Sequence, residues 1–134
     1  MYLFDTDTIS NLLRKGPFPG LLRKLAGLPT EQQFISTITV GELIYGAYRS
    51  KRPDYFLEKL DQLVWPNVQI LSFDEAAART YGRLRARLER EGILVSEPDL
   101  RIATIGLSRQ LTLVTGNIRH FSRIPDLRIE NWLQ

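Results

Sequence analysis

Three carboxylates stand at positions where α/β proteins place reactive side chains. Asp5 directly follows the apolar segment 2–4, and Glu42 and Asp99 each lie in the predicted first turn of a later helix. In a parallel sheet every helix begins at the edge where the strands end, so we expect the three side chains to converge there. Carboxylate oxygens are the ligands that Mg²⁺ and Mn²⁺ prefer, and these ions retain water molecules that can react. The pattern therefore predicts a hard-metal site that supports metal-assisted hydrolysis.

Each of these carboxylates also has a purely structural interpretation as a helix cap. Acidic residues are favoured at helix N-termini, and segments 39–42 and 96–99 have the outline of a capping box. Two observations favour a metal site for the set. Asp99 opens a helix that is expected to be buried, where an unpaired charge is costly, and Asp5 follows a strand that contains no charged residue. From spacing alone both interpretations stay open. Asp7 lies in the first turn of the predicted helix and is expected to support the site or to cap this helix.

The composition limits the kinds of chemistry that the chain can perform. With 134 residues, one domain is expected, and the absence of Cys excludes disulfides, thiolate zinc sites and cysteine nucleophiles. A net charge of +3 permits nucleic-acid binding without requiring it. No apolar run approaches the roughly 18 residues that span a bilayer, and no signal peptide is recognisable, so no membrane contact and a cytoplasmic location are expected.

Helical and strand-like patterns alternate along the chain, which predicts an α/β fold with a mostly parallel sheet of four to five strands. The predicted strands are 2–4, 34–37, 68–71, 111–115 and 127–129. The predicted helices follow residue 5, lie near 21–25 and 40–48, and run over 54–64, 72–92 and about 98–107. The last of these is apolar almost all round, so we expect it to be buried.

Four segments, in this order, carry a further signal: LFDTD at 3–7, ITVGELIYG at 38–46, SEPDLRIA at 96–103 and LVTGNIRHF at 113–121. Together they resemble the PIN-domain ribonucleases of the VapC toxin type, and IENW at 129–132 is also typical of that family. The resemblance spans nearly the whole chain. It implies a single PIN domain over residues 1–134, with an α/β/α architecture.

The resemblance also implies an activity and its partners. The expected function is that of a toxin in a toxin–antitoxin system, which hydrolyses RNA with Mg²⁺ or Mn²⁺ through a metal-activated water and leaves a 5′-phosphate and a 3′-hydroxyl. A cognate VapB-like antitoxin and a homodimer are the expected protein partners. By position in the family, Asp5 and Asp99 are the safest metal ligands, and Glu42 binds the metal directly or through water.

One position departs from the family pattern. Many PIN domains carry an acidic residue where this chain has Asn117, and an amide brings no charge to a metal. Thr115 and Asn117 are instead expected to orient water or a substrate phosphate, with a turn residue as the alternative for Asn117, and Arg119 is expected to contact RNA. His120, the only His, is expected on a surface helix, because activation of water by a metal makes a His base unnecessary.

Other features have two interpretations each. Arg79, Arg83 and Arg87 recur every four residues and form either a solvated helix face or a contact with RNA phosphates. Three tyrosines either stack on bases or take part in helix and protein interfaces: Tyr45, Tyr48 and Tyr55.

Two rival functions are considered. A haloacid-dehalogenase-type phosphatase also begins with a strand and a DxD motif, but it needs a later Lys and a distal acidic pair, and no Lys follows Lys59. A catalytically degenerate PIN domain would only bind RNA or a protein.

Overall fold

The computed structural model describes residues 1–134, in which a five-stranded sheet lies between two layers of helices. The strands are β1 (Tyr2–Phe4), β2 (Gln33–Ser36), β3 (Gln69–Leu71), β4 (Thr112–Val114) and β5 (Ile129–Glu130). The helices are α1 (Thr6–Leu12), α2 (Pro19–Ala26), α3 (Thr37–Arg49), α4 (Pro53–Leu63), α5 (Glu75–Arg90), α6 (Glu97–Ser108) and α7 (Ile118–Phe121). None of the helices combines the length and apolar character that crossing a membrane requires.

All neighbouring strands of the sheet are parallel, in the order β3-β2-β1-β4-β5. This confirms the predicted α/β class and parallel sheet. The central strand β1 has β2 on one side and β4 on the other, so the direction of winding reverses between β1 and β4. Such a reversal leaves a crevice at the carboxyl ends of the two strands, which is where open α/β sheets bind ligands.

Alternating strand residues contribute to two separate apolar cores, one on each face of the sheet. Leu3 and Leu113 belong to the core that α5 and α6 cover. Phe4, Ile35 and Val114 belong to the core that contains the buried residues of α1 to α4. Six of the twelve residues of α6 are buried, which confirms the expectation for this nearly all-apolar helix.

Two helix starts differ from the predictions. Helix α3 begins at Thr37 because Ser36, the last residue of β2, is its N-cap and accepts a hydrogen bond from the Thr39 amide at 3.0 Å. The prediction that Glu42 lies in the first turn was therefore wrong, and it lies in the second. Helix α5 was predicted to begin at residue 72, where Ser72 is a possible N-cap, but Asp74 is the N-cap and accepts a hydrogen bond from the Ala77 amide at 2.9 Å. In both helices the residue that caps the helix lies within three positions of another residue that could also have served as the N-cap.

The basic face of α5 is largely neutralised within the helix. Arg79 pairs with Glu75 at 2.9 Å, and Arg87 pairs with Glu91 at 3.3 Å. Arg83 is exposed and forms no ion pair. The pairing favours the solvated-face interpretation for Arg79 and Arg87.

Candidate active site

An open cavity of about 610 Å³ lies where β1 and β4 end, and no hydrophobic residue lines it. Its lining consists of Asp5, Thr6, Asp7, Ser10, Arg14, Glu42, Asp99, Gly116 and Asn117. The three carboxylates that were predicted to converge therefore line one cavity, and Asp7 and Asn117 join them. Their meeting follows from the topology, since β1 precedes Asp5, α3 carries Glu42, α6 carries Asp99 and β4 leads to Asn117.

Asp5 lies at the bottom of this cavity and is only 6% exposed. One of its carboxylate oxygens accepts a hydrogen bond from the Thr6 amide at 2.8 Å, because Asp5 is the N-cap of α1. The other accepts from the Thr115 hydroxyl at 2.8 Å, and that hydroxyl accepts in turn from the Asn117 amide at 2.9 Å. The two interpretations of Asp5 are thus compatible, since the same carboxylate caps α1 and lines the cavity.

The environment of Asp5 disfavours its negative charge. Burial raises the pKa of this carboxyl from 3.8 to about 6, against the opposing effect of the Thr115 hydrogen bond. The nearby charges of Asp7 and Asp99 raise the pKa of Asp5 further, while the hydrogen bond from the Thr6 amide lowers it. A buried carboxyl beside like charges is stabilised in its ionised form when a cation binds next to it.

The other carboxylates are held to different degrees. Glu42 accepts a hydrogen bond from the Thr6 hydroxyl at 2.6 Å, which ties α3 to the start of α1. Asp7 accepts from the Gly116 amide at 2.9 Å, which ties α1 to the turn after β4. The Asp99 side chain is half-buried and forms neither a hydrogen bond nor an ion pair, because only its backbone amide is engaged, by the Ser96 cap.

The donor set of this cavity fits a hard divalent cation. Four carboxylates line it, and Arg14 is the only basic residue beside them. None of these carboxylates takes part in any of the six ion pairs of the structure, all of which lie elsewhere. As the side chains stand, no three acidic or histidine groups form a finished metal cluster. Mutual repulsion keeps like charges apart until a cation offsets it, so charge and ligand type fit even though the ligands are not preassembled.

The remaining predicted site residues divide into two groups. Thr115 is buried and Asn117 is half-buried, and both are connected to Asp5 by hydrogen bonds. Arg119 and His120 are exposed on α7 and do not line the cavity. The predicted contact between Arg119 and RNA stays a prediction, and no contact with the cavity supports it.

Four residues that line the cavity were not predicted from the sequence: Thr6, Ser10, Arg14 and Gly116. A signal was present for three of them, because Thr6, Ser10 and Arg14 follow one another at intervals of four residues and so lie along one side of α1 and its extension. Gly116 has no local signal. Its role depends on a hydrogen bond to Asp7, which is 109 residues away along the chain.

Comparison with known proteins gives one family. The sequence model of the PIN domain family matches residues 2–127 of this chain. The chain is 37% identical over 131 residues to the tRNA(fMet)-specific endonuclease VapC of Salmonella typhimurium, over 98% of this chain and 97% of that protein. It is 36% identical over 134 residues to Ribonuclease VapC2 of Rickettsia felis, over 98% of both chains.

Solved structures agree with this result. The fold is similar to a chain in the crystal structure of VapBC2 from Rickettsia felis bound to a DNA fragment from its promoter, with a TM-score of 0.90, 34% identity and 98% of each chain covered. It is also similar to a chain of DNA-bound VapBC from Salmonella typhimurium, with a TM-score of 0.89, 37% identity, and 98% of this chain and 97% of that chain covered.

Proposed function

The chain belongs to the PIN-domain family, and on this basis we propose that it is the toxin of a toxin–antitoxin pair and hydrolyses RNA with Mg²⁺ or Mn²⁺. The observation that carries the proposal is the convergence of Asp5, Glu42 and Asp99 in one cavity, where none of the three takes part in an ion pair. The full-length similarity to VapC ribonucleases supports the same activity. We treat residues 1–134 as one PIN domain.

In this proposal Asp5 and Asp99 bind the cation, and Glu42 binds it directly or through water. When bound, the cation lowers the pKa of a water molecule and stabilises negative charge on the phosphate. The residues of the chain orient these ligands. Thr115 donates to one oxygen of Asp5 at 2.8 Å and Thr6 donates to Glu42 at 2.6 Å, and these bonds restrict the orientations that the two carboxylates can take.

Asn117 takes a different part from the acidic residue that many PIN domains carry at this position. Its backbone amide donates to Thr115, while its side-chain amide has no hydrogen-bond partner in the protein and borders the cavity. A neutral amide can donate to a phosphate oxygen, which an acidic side chain cannot do. We therefore assign Asn117 to substrate orientation and expect one tightly bound metal.

A decisive assay incubates the purified chain with total cellular RNA and with tRNA(fMet), the RNA for which the Salmonella relative is named. We expect cleavage with Mg²⁺ or Mn²⁺, none in EDTA, and products with a 5′-phosphate and a 3′-hydroxyl. Cleavage that persists in EDTA would contradict the metal mechanism. A folded chain that cuts no RNA with either metal would leave only the binding-module alternative.

The partner proposal follows from the same relatives. The similar solved structures are VapBC complexes, so we propose a cognate VapB-like antitoxin for this chain. A homodimer is proposed only because the resemblance to the family implies one. Helix α3 carries Tyr45 and Tyr48, which are 62% and 66% exposed, and exposed tyrosines are frequent in protein interfaces.

The phosphatase alternative loses support, because no lysine lines the cavity.

Gly116→Ala is expected to reduce kcat/KM for RNA cleavage about tenfold. A Cβ at this position would lie 2.9 Å from Oδ2 of Asp7 and 3.1 Å from Leu133, so the carboxylate that the Gly116 amide holds must move. The measurements are steady-state cleavage and thermal unfolding. Gly82→Ala in α5 is the matched control, since its Cβ meets nothing within 4 Å. Wild-type activity in Gly116→Ala would mean that the position of Asp7 does not matter.

A further inference from the structure

Basic side chains surround Tyr55 on the surface formed by the end of α1 and the start of α4. The guanidinium carbon of Arg52 lies 4.1 Å from the centre of the Tyr55 ring, and the Lys59 ammonium lies 5.1 Å from it. Lys15 belongs to the same group. The proximity of Lys59 lowers the pKa of Tyr55, and the charges of Arg52 and Lys15 lower it further. We call these four residues the Tyr55 cluster.

The cations of the Tyr55 cluster have no counterion in the protein. None of its three basic residues takes part in an ion pair, although α4 carries acidic residues. Lys59 donates only to the Leu13 carbonyl, at 3.3 Å. Five arginines elsewhere differ because each pairs with a carboxylate, namely Arg79, Arg85, Arg87, Arg101 and Arg109, although Arg83 and Arg90 are unpaired as well. Uncompensated positive charges at one place repel each other, and a polyanion is the ligand that relieves this repulsion.

The Tyr55 cluster is continuous with the active-site cavity. A second cavity of about 290 Å³ is lined by Lys15, Arg52 and Tyr55, and Ser10 and Arg14 line both this cavity and the one that contains the carboxylates. Arg14 is exposed and forms no ion pair. A basic surface therefore begins inside the acidic cavity at Arg14 and extends to Arg52.

We propose that Arg14 and the Tyr55 cluster bind the sugar–phosphate backbone of the RNA segment next to the scissile bond. The inference rests on the proposed ribonuclease function and adds the surface that supplies affinity. The carboxylates of the cavity repel phosphates, so the charge that attracts RNA must lie beside them. Tyr55 acts as a positioning residue, because its ring holds Arg52 by a cation–π contact without neutralising it.

The test compares two double variants of equal charge. Lys15→Gln with Arg52→Gln removes two cations from the Tyr55 cluster, and Arg90→Gln with Arg128→Gln removes two exposed, unpaired arginines that line neither cavity. Each lowers the formal net charge by two, from +4 in the Asp99→Asn parent to +2, because Asp99→Asn itself raises the charge of the chain from +3 to +4. Binding of a fluorescein-labelled single-stranded RNA of about 12 nucleotides is measured by anisotropy over a salt series. All proteins carry Asp99→Asn, which prevents cleavage during the measurement.

We expect the Tyr55-cluster variant to raise the Kd about tenfold and to reduce the magnitude of the salt slope by about 1.4, the value for two lost phosphate contacts on a single strand. The variant with Arg90→Gln and Arg128→Gln should change the Kd less than about twofold and leave the slope unchanged. Tyr55→Phe, which keeps the ring, should bind like the parent, while Tyr55→Leu should weaken binding about threefold.

Equal Kd values of the two double variants for RNA would overturn the inference. This holds even if the Tyr55-cluster variant binds the antitoxin more weakly, because the inference concerns RNA. Cleavage by the same double variants in an otherwise wild-type chain separates this inference from the proposed function. If both cut RNA equally well, the binding surface lies elsewhere and the ribonuclease stands. If neither they nor the wild-type chain cut RNA, the proposed function is the part that is wrong.

Discussion

Asp99→Asn is expected to lower RNA cleavage about 1,000-fold or more while leaving the fold and its stability nearly unchanged. The loss follows from the removal of a charged ligand from the cavity that, in the proposed function, holds the cation. The small effect on stability follows from the surroundings of the side chain. The Asp99 carboxylate has no hydrogen bond to lose, and the Ser96 cap bonds to its backbone amide, which the substitution keeps. Asn also has nearly the same shape as Asp.

The control for this experiment is Asp61→Asn, the same chemical change at an exposed site of α4 outside the cavity. Both variants should unfold within about 0.5 kcal/mol of wild type, whereas only Asp99→Asn should lose cleavage. If Asp99 were no more than a first-turn acidic residue of α6, the result would be reversed, with a small loss of stability and full activity. Cleavage by Asp99→Asn within about tenfold of wild type would reject the metal-site assignment.

The layered fold was predictable because its signals are local. Apolar residues at a period near 3.6 identify helix faces, and short apolar runs between them identify strands, so the α/β class follows before any contact is known. The nearly all-apolar α6 had to lie between the sheet and another helix. The convergence of Asp5, Glu42 and Asp99 was predictable for a topological reason, since parallel strands end at one edge of a sheet.

The details that were not predictable depend on choices between similar local signals. Ser36 and Thr39 are both good N-caps, and only the length of β2 decides that Ser36 caps α3. Ser72 and Asp74 present the same choice at α5. These choices matter for function, because a helix start displaced by three residues moves Glu42 by about 4.5 Å along the helix axis and changes its direction by about 60°.

Contacts between residues that are distant in sequence could not be predicted either. The hydrogen bond from Thr115 to Asp5 joins residues 110 positions apart, and no periodicity or motif in one sequence encodes it. The same holds for the Tyr55 cluster, because Lys15 lies just after α1 while Arg52 and Lys59 belong to the α4 region. A sequence indicates which elements form, but which side chains of those elements touch follows only from their packing.

Asp5→Asn is expected to abolish cleavage and, in metal-free protein, to remove a loss of stability that the wild-type chain suffers as the pH rises. Because the pKa of Asp5 in the folded state is about 6, above the ordinary 3.8, the folded protein binds this proton more tightly than the unfolded chain does. The resulting stabilisation is fully present below about pH 4 and is lost as the pH rises through about 6. The difference between the two pKa values corresponds to about 3 kcal/mol.

The measurement is the free energy of unfolding by urea in EDTA at several pH values between about 4 and 7. The stability of Asp5→Asn relative to wild type should increase over this range by up to about 3 kcal/mol, whereas Asp61→Asn should follow the wild-type curve. An offset independent of pH is also expected, since an amide nitrogen facing Thr115 cannot accept the hydrogen bond that Oδ2 of Asp5 accepts. Parallel curves for Asp5→Asn and wild type would mean that Asp5 is ionised without cost in the folded chain. Addition of Mn²⁺ at pH 7 should stabilise the wild-type chain but not Asp5→Asn, because the cation offsets the buried charge that this carboxylate places at the end of β1.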